Sequence, residues 1–187
     1  MARTSGDIAT APIDLAIARI RAIYRNWNRE TSVAQMRSDW DAAFEGSTAA
    51  VTFERVSAGG VDGEWIAPAN APEGKAILYF HGGGFRMGSV TSHRDLIAQI
   101  ALATGCRVLA TNYRLAPEHR FPAALDDALA AYGWMLGRGL KRHNVAFAGD
   151  SAGGNLALAA MLALRERGLP LPVSAVLMSP WTDLAAT

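Results

Sequence analysis

The chain has 187 residues, half of them hydrophobic, enough to build one sizeable core. Lys+Arg 18 against Asp+Glu 17 leaves a formal net charge of +1, with the charges scattered along the chain rather than blocked. That balance excludes the electrostatic footprint of a nucleic-acid or anionic-membrane partner.

Cys106 is the only cysteine, so no disulfide forms within the chain and a reducing compartment is expected. It lies in an apolar, strand-like segment and reads as a small core residue, not a nucleophile. The opening MARTSGDIATAP lacks the apolar core of a signal peptide. The longest apolar run, LALAAMLAL at Leu156–Leu164, falls well short of the ~20 residues a membrane helix needs. These features predict a soluble, cytoplasmic protein without a membrane span.

In PIDLAIARIRAIYRNWN, Ile13, Ile17, Ile20, Tyr24 and Trp27 recur at steps of three and four, which predicts a helix with one apolar stripe. A short helical stretch, SVAQMRSDWDAAF, follows. AVTFERVSA and GEWIAPA read as two strands around the turn-prone GGVDG. KAILYF is a short apolar strand running into glycines. TSHRDLIAQIALATG is a helix with Ser92 as N-cap and Gly105 as its stop. CRVLATNY is a strand, and FPAALDDALAAYGWMLGRG a helix with Pro122 in its first turn. NVAFAGD, AGGNLALAAMLALRERG and SAVLMSP complete a strand–helix–strand series.

Strands apolar on both faces, alternating with helices, predict an α/β fold with a mostly parallel sheet covered by helices on both faces. In such sheets ligands bind at the carboxyl ends of the strands. HGGGF (His81–Phe85) and GDSAGGN (from Gly149) both sit at carboxyl ends, so both are expected to line one crevice.

Gly149, Asp150, Ser151, Ala152 and Gly153 fit G-x-S-x-G between a strand and a helix. The spacing serves a very tight turn, in which a strained serine needs neighbours without side chains. The turn lifts the hydroxyl above the sheet, at a helix start that favours developing negative charge. A purely structural role stays open at this point: Gly149 and Gly153 would also permit close strand–helix packing, with Ser151 as N-cap. Phosphate binding is disfavoured, because neither G-x-G-x-x-G nor a P-loop lysine is present at this site.

If Ser151 attacks a carbonyl, the resulting oxyanion needs donors already aimed at it. Backbone N–H groups serve where no Cβ blocks the approach, and HGGG supplies such a stretch. Gly83 and Gly84 are assigned as donors, with the N–H of Ala152 as the third. His81 reads as a support for the glycine loop; the competing role, catalytic base, conflicts with a chain order in which the base follows the serine.

HGGGF at His81–Phe85, NYRLAPEHRFPAALDDA at Asn112–Ala128, GDSAGGNLA at Gly149–Ala157 and SPWTDL at Ser179–Leu184 together resemble the bacterial carboxylesterases similar to mammalian hormone-sensitive lipase, within the α/β-hydrolases. The resemblance implies hydrolysis of short- to medium-chain carboxylic esters by an acyl-enzyme route, without organic cofactor or metal. It implies that helices at about Ile13–Phe44 form part of a cap, so residues 1–45 would be a helical cap segment and 46–187 a partial hydrolase core. It implies an oxyanion hole of Gly83, Gly84 and Ala152, with Tyr113, Arg114 and Glu118 organising the loop behind the site, and Asp150 as a supporting residue.

A serine hydroxyl needs a base, and the base an acid, in the order Ser, Asp or Glu, His. No histidine follows Ser151; the later acids are Glu166 and Asp183. In the family, Asp183 belongs to the loop after the sixth strand and is not the triad acid. His93 and His119 read as exposed, and His143 stands at the wrong end of its strand. The last strands and helices of the fold are therefore expected beyond Thr187, as a C-terminal remainder or a second chain carrying the triad acid and His. SAVLMSP is expected to be an outer strand with an unpaired edge. A homodimer, a non-catalytic small-molecule-binding protein on the same scaffold, and an amide or formamide hydrolase remain open alternatives at this point.

Overall fold

The structure is a computed structural model in which residues 12–46 and 50–185 are described. The first eleven residues of the expected cap segment, with most of the stretch read for a signal peptide, lie outside the described residues, as does Thr187.

Strands β1 (Val51–Ala58) and β2 (Val61–Pro68) form an antiparallel hairpin, paired from Val51↔Pro68 to Ala58↔Val61. Its turn is Gly59–Gly60, both at positive φ (67° and 90°), the two-residue loop that matches strand twist. The expected turn GGVDG is thus shorter, and β2 starts at Val61, which is already buried and pairs with Ala58. Then follow β3 (Ala76–Phe80), α3 (Val90–Thr104), β4 (Arg107–Thr111), α4 (Ala123–Gly137), β5 (Val145–Asp150), α5 (Ala152–Glu166) and β6 (Ser174–Met178). Among the described residues, six strands lie in the order β1-β2-β4-β3-β5-β6. β3 pairs in parallel with β4 and β5, and β5 with β6, while β2 meets β4 antiparallel.

The two faces of the sheet follow from the period of two along each strand. Leu78, Phe80, Leu109 and Phe147 pack against Ala131 and Met135 of α4 and Leu156 and Ala160 of α5. Tyr79, Val108, Ala110 and Ala148 point the other way, onto Ile97, Ala98 and Ala101 of α3. Helices therefore cover both faces, as the strand composition predicts. Each fully buried Leu, Ile or Phe contributes about 1.5–3 kcal/mol.

Several local expectations need correction. The N-cap of α3 is Ser89, not Ser92; Ser92 is the third helical residue and closes a reciprocal capping box with Ser89. Two serines three apart are both good caps, and only the backbone decides between them. Gly105 does terminate α3, in the left-handed conformation (φ 65°). Pro122 is the N-cap residue of α4 rather than part of its first turn. Cys106 precedes β4 and is half-buried, outside the core.

Helix α1 (Pro12–Asn26) packs on α2 (Val33–Phe44), and α2 on α3. The expected stripe of α1 is not its buried face. Ile13 and Tyr24 are 64% and 51% exposed, Ile17 is also exposed, and Ile23 is the buried side chain. A stripe is buried only where a surface opposes it, and α1 meets α2 edge-on, with Tyr24 against Trp40 and Arg19 over the Phe44 ring. Trp27 lies past the helix end and donates its indole N–H to Asp39 (2.9 Å). Among the described residues β6 is the last strand of the sheet, and its Val176 is 59% exposed.

Candidate active site

Ser151 joins β5 to α5 at φ 51°, ψ −118°. A non-glycine residue there carries strain of about 1–3 kcal/mol and persists only where its surroundings fix it. Three backbone bonds do so: Ser151 N–H donates to Met178 O (3.0 Å), and Ser151 O accepts from Trp181 N–H (2.9 Å) and Asn155 N–H (3.2 Å). Its hydroxyl makes no capping bond to α5, so the reading of Ser151 as a side-chain N-cap does not hold.

The neighbouring glycines are required by contact. A Cβ on Gly149 would stand 2.5 Å from the backbone of Gly153, and one on Gly153 would stand 1.9 Å from Phe80 O. The elbow is thus pressed against the end of β3, in the register Phe80↔Gly149. The HGGG loop leaves that same strand end. Gly82 N–H donates to Asp150 Oδ1 (2.9 Å), so the residue before Ser151 clamps the start of the loop. Gly83 and Gly84 have φ of 122° and 63°, and Phe85 follows at 59°. Gly83 O accepts from Arg86 N–H and Met87 N–H (3.1 and 3.0 Å). The N–H groups of Gly83, Gly84 and Ala152 find no acceptor among the described residues.

Asp150 is the hub beneath the loop. The Tyr79 hydroxyl donates to it at 2.7 Å, and His93 Nε2 stands 3.5 Å away. Burial pushes the Asp150 carboxyl up, but the hydrogen bond and charge of His93, the Tyr79 hydroxyl and Gly82 N–H outweigh it and hold it below the ordinary carboxylate range. Burial, then the Asp150 charge, pushes the Tyr79 phenol far above its ordinary value, so it stays a donor.

His81 is buried, stacked on Tyr113 (ring centroids 4.3 Å apart), with Nδ1 2.8 Å from Gly82 O. Burial, reinforced by His93, lowers its pKa to about 3, so the ring is neutral. A neutral ring that donates from Nδ1 leaves Nε2 a buried acceptor without a partner. Tyr113 donates its hydroxyl to His81 O (2.6 Å), tying the following loop to the glycine loop. Arg114 bonds Asp127 on α4 through its N–H, Nε and Nη2. Glu118 reaches away from this cluster and pairs with Arg37 on α2 (2.7 Å).

His93 corrects the sequence reading. Its side chain is 11% exposed, and it faces Asp150 instead of solvent. It lies one turn after Ser89, the true cap, on the inward side of α3; reading the cap at Ser92 hid this. Tyr79 was missed too, although alternation along AILYF sets it opposite Leu78. His119 and His143 are exposed, and His143 precedes β5 at the far end of the sheet. Glu166 and Asp183 are also exposed, and Asp183 accepts from Ala185 N–H (3.0 Å). Among the described residues no three His, Cys, Asp or Glu side chains group as metal ligands would, and no helix is long and apolar enough to cross a membrane. A groove of about 420 Å³ opens beside the loop, lined by Phe85, Leu125, Leu156 and Ala159 among others; Ser151 is not in its wall.

A family model described as alpha/beta hydrolase fold matches residues 77–187. The chain belongs to the α/β-hydrolase fold family. This α/β-hydrolase chain is 45% identical over 163 residues to an acetyl-hydrolase of Streptomyces hygroscopicus, a match covering 86% of this chain and 54% of that relative. An esterase of Acinetobacter venetianus is 39% identical over 137 residues, covering 73% of this chain and 45% of its own length. Among solved structures, an esterase from the bacterial hormone-sensitive lipase family superposes with a TM-score of 0.90 at 40% identity, covering 96% of this chain and 61% of that one. The α/β-hydrolase chain therefore spans about half the length of the curated relatives it matches.

Proposed function

We propose that this chain carries the nucleophile and oxyanion half of a serine carboxylesterase acting on short- to medium-chain esters. One observation supports the reading above all: a strained serine with no capping bond follows β5 beside the paired end of β3, from which a loop with two acceptor-free amides departs.

In this mechanism Ser151 Oγ bonds to the ester carbonyl carbon as its proton passes to a base. The carbonyl oxygen takes the displaced electron pair and is held by the N–H groups of Gly83, Gly84 and Ala152. Collapse expels the alcohol, which takes up the proton, and leaves an acyl-Ser151 that water cleaves by the same steps. Asp150 and His81 support the glycine loop, and Glu118 braces the following loop. None of His81, His93, His119 and His143 serves as the base, so we assign the base and its acid to a part of the protein outside residues 1–187. The names of the acetyl-hydrolase and esterase relatives agree with an ester substrate. Residues 1–45 act as the cap and 46–187 as the core; the exposed apolar side chains of α1 suit a surface facing an acyl chain.

Hydrolysis of p-nitrophenyl butyrate by the full-length protein, and its loss in Ser151→Ala, is the test. Turnover retained in the variant would remove Ser151 from the mechanism. Saturable binding without turnover by the unaltered protein would replace the enzyme with a binding protein.

A further inference from the structure

The loop from Gly82 to Ser89 is held from two sides. From within, Asp150 holds Gly82. From without, α2 grips it twice, by residues one turn apart. Arg37 Nε donates to Arg86 O (2.8 Å), and Asp41 Oδ1 accepts from the Ser89 hydroxyl (2.8 Å). The remaining nitrogens of Arg37 reach the neighbouring loop. Nη2 donates to Ala116 O (2.9 Å), and Nη1 and Nη2 donate to the two carboxylate oxygens of Glu118 (3.0 and 2.7 Å). Ala116 in turn donates its N–H to Phe85 O (2.8 Å).

One guanidinium therefore bonds both loops, and the two loops bond each other at Phe85. This placement matters because of what lies between. Gly83, Gly84 and Phe85 all have positive φ, and Phe85 is a bulky residue strained in that region. Glycines impose no conformation of their own. The aim of their amides is set by what holds the residues on either side. A planar fork of five donors can serve two carbonyls and both oxygens of a carboxylate at once, four bonds that the three donors of an ammonium cannot make.

We propose that Arg37 is a positioning residue for the oxyanion loop: from α2 it fixes the direction of the Gly83 and Gly84 N–H groups by holding Arg86 O and Ala116 O. The kinetic side of this inference rests on the esterase reading; the structural side does not. The competing account makes Arg37–Glu118 an ordinary surface ion pair, which contributes little.

Three variants of the full-length protein separate the two: R37M, R37K and E118Q. Hydrogen–deuterium exchange is followed at Arg86 and Met87, whose amides bond Gly83 O, with β3 and β5 as the control for folding. R37M speeds exchange in the loop about tenfold while β3 and β5 are unchanged. E118Q, which keeps both carbonyl contacts, has an effect at least about fivefold smaller. With p-nitrophenyl acetate, R37M lowers kcat about tenfold to a hundredfold and leaves KM within about twofold. R37K falls between the wild type and R37M. Equal effects of R37M and E118Q, unchanged loop exchange in R37M, or a raised KM with kcat preserved would each overturn the proposal. If R37M loses its β3 and β5 protection, R37K decides: faster loop exchange with intact strands supports the proposal, and wild-type exchange overturns it. A wild type without turnover would sink the esterase reading and leave the exchange measurement to judge the loop.

Discussion

Gly153 and Gly133 both lie inside helices, yet alanine should act on them with opposite sign. Gly133 is in the middle of α4, and a Cβ there meets nothing within 4 Å. Gly133→Ala then removes only the conformational freedom of glycine and stabilises by about 0.5–1 kcal/mol. Gly153 is in the first turn of α5, and its Cβ would stand 1.9 Å from Phe80 O, 2.5 Å from Phe80 C and 2.6 Å from His81 O. All three are backbone atoms, and the first contact is about 1.5 Å short of ordinary separation, so α5 must lift off the end of β3. Overpacking of this kind costs about 1–3 kcal/mol, more than the helical gain. For a domain of this length, 1 kcal/mol is roughly 2–4 °C in Tm. Circular dichroism melts should therefore show G133A about 1–4 °C above wild type and G153A about 2–12 °C below it. The same lift displaces Ser151 from the glycine loop, so under the proposed esterase function hydrolysis by full-length G153A falls about a hundredfold. A G153A protein that melts at or above the wild type would refute the contact between α5 and β3 on which the site is built.

Other expectations follow from the same geometry. Ser151→Gly relieves the strain at φ 51° and raises Tm, with stability up by about 1 kcal/mol, whereas Ser151→Ala does not; equal melts would show that the bend is unstrained. Tyr79→Phe removes a donor to the half-buried Asp150 carboxylate and costs about 1.5–3 kcal/mol in urea denaturation. His81 has a folded pKa of about 3, below the ordinary 6.5, so between those values the unfolded chain binds the extra proton. Stability therefore rises with pH across that window and levels off above it; at pH 5 this group alone costs about 2 kcal/mol relative to pH 7. Asp150, depressed as an acid, adds stability that is present above the ordinary carboxylate range and lost as pH falls through its lower folded value. Urea midpoints between pH 4.5 and 7 should slope accordingly, and His81→Asn should flatten the slope; a level wild-type profile would contradict the buried neutral ring.

The parts of this fold that depend on neighbouring residues were readable from the chain. Apolar runs ending in glycine marked β3 and β5, and Gly105 marked the end of α3. The two glycine motifs were assigned to one crevice because parallel strands present their carboxyl ends together. What stayed hidden depended on groups distant in sequence. His93 is turned inward because Asp150 and Tyr79 lie across from α3, which no local pattern records. The stripe on α1 was seen, but its direction depends on where α2 lies. Arg37 reads as one more charged residue on a short helix, and only the carbonyls of Arg86 and Ala116 distinguish it.

Ser151 receives its bracing from beyond its own strand: Met178 closes β6, and Trp181 follows it. Both partners belong to β6 and the segment just after it. A shift of β6 along β5 would travel through two short bonds into the bend itself. The alignment of Ser151 thus becomes a gauge of how firmly β6 is seated against its neighbour.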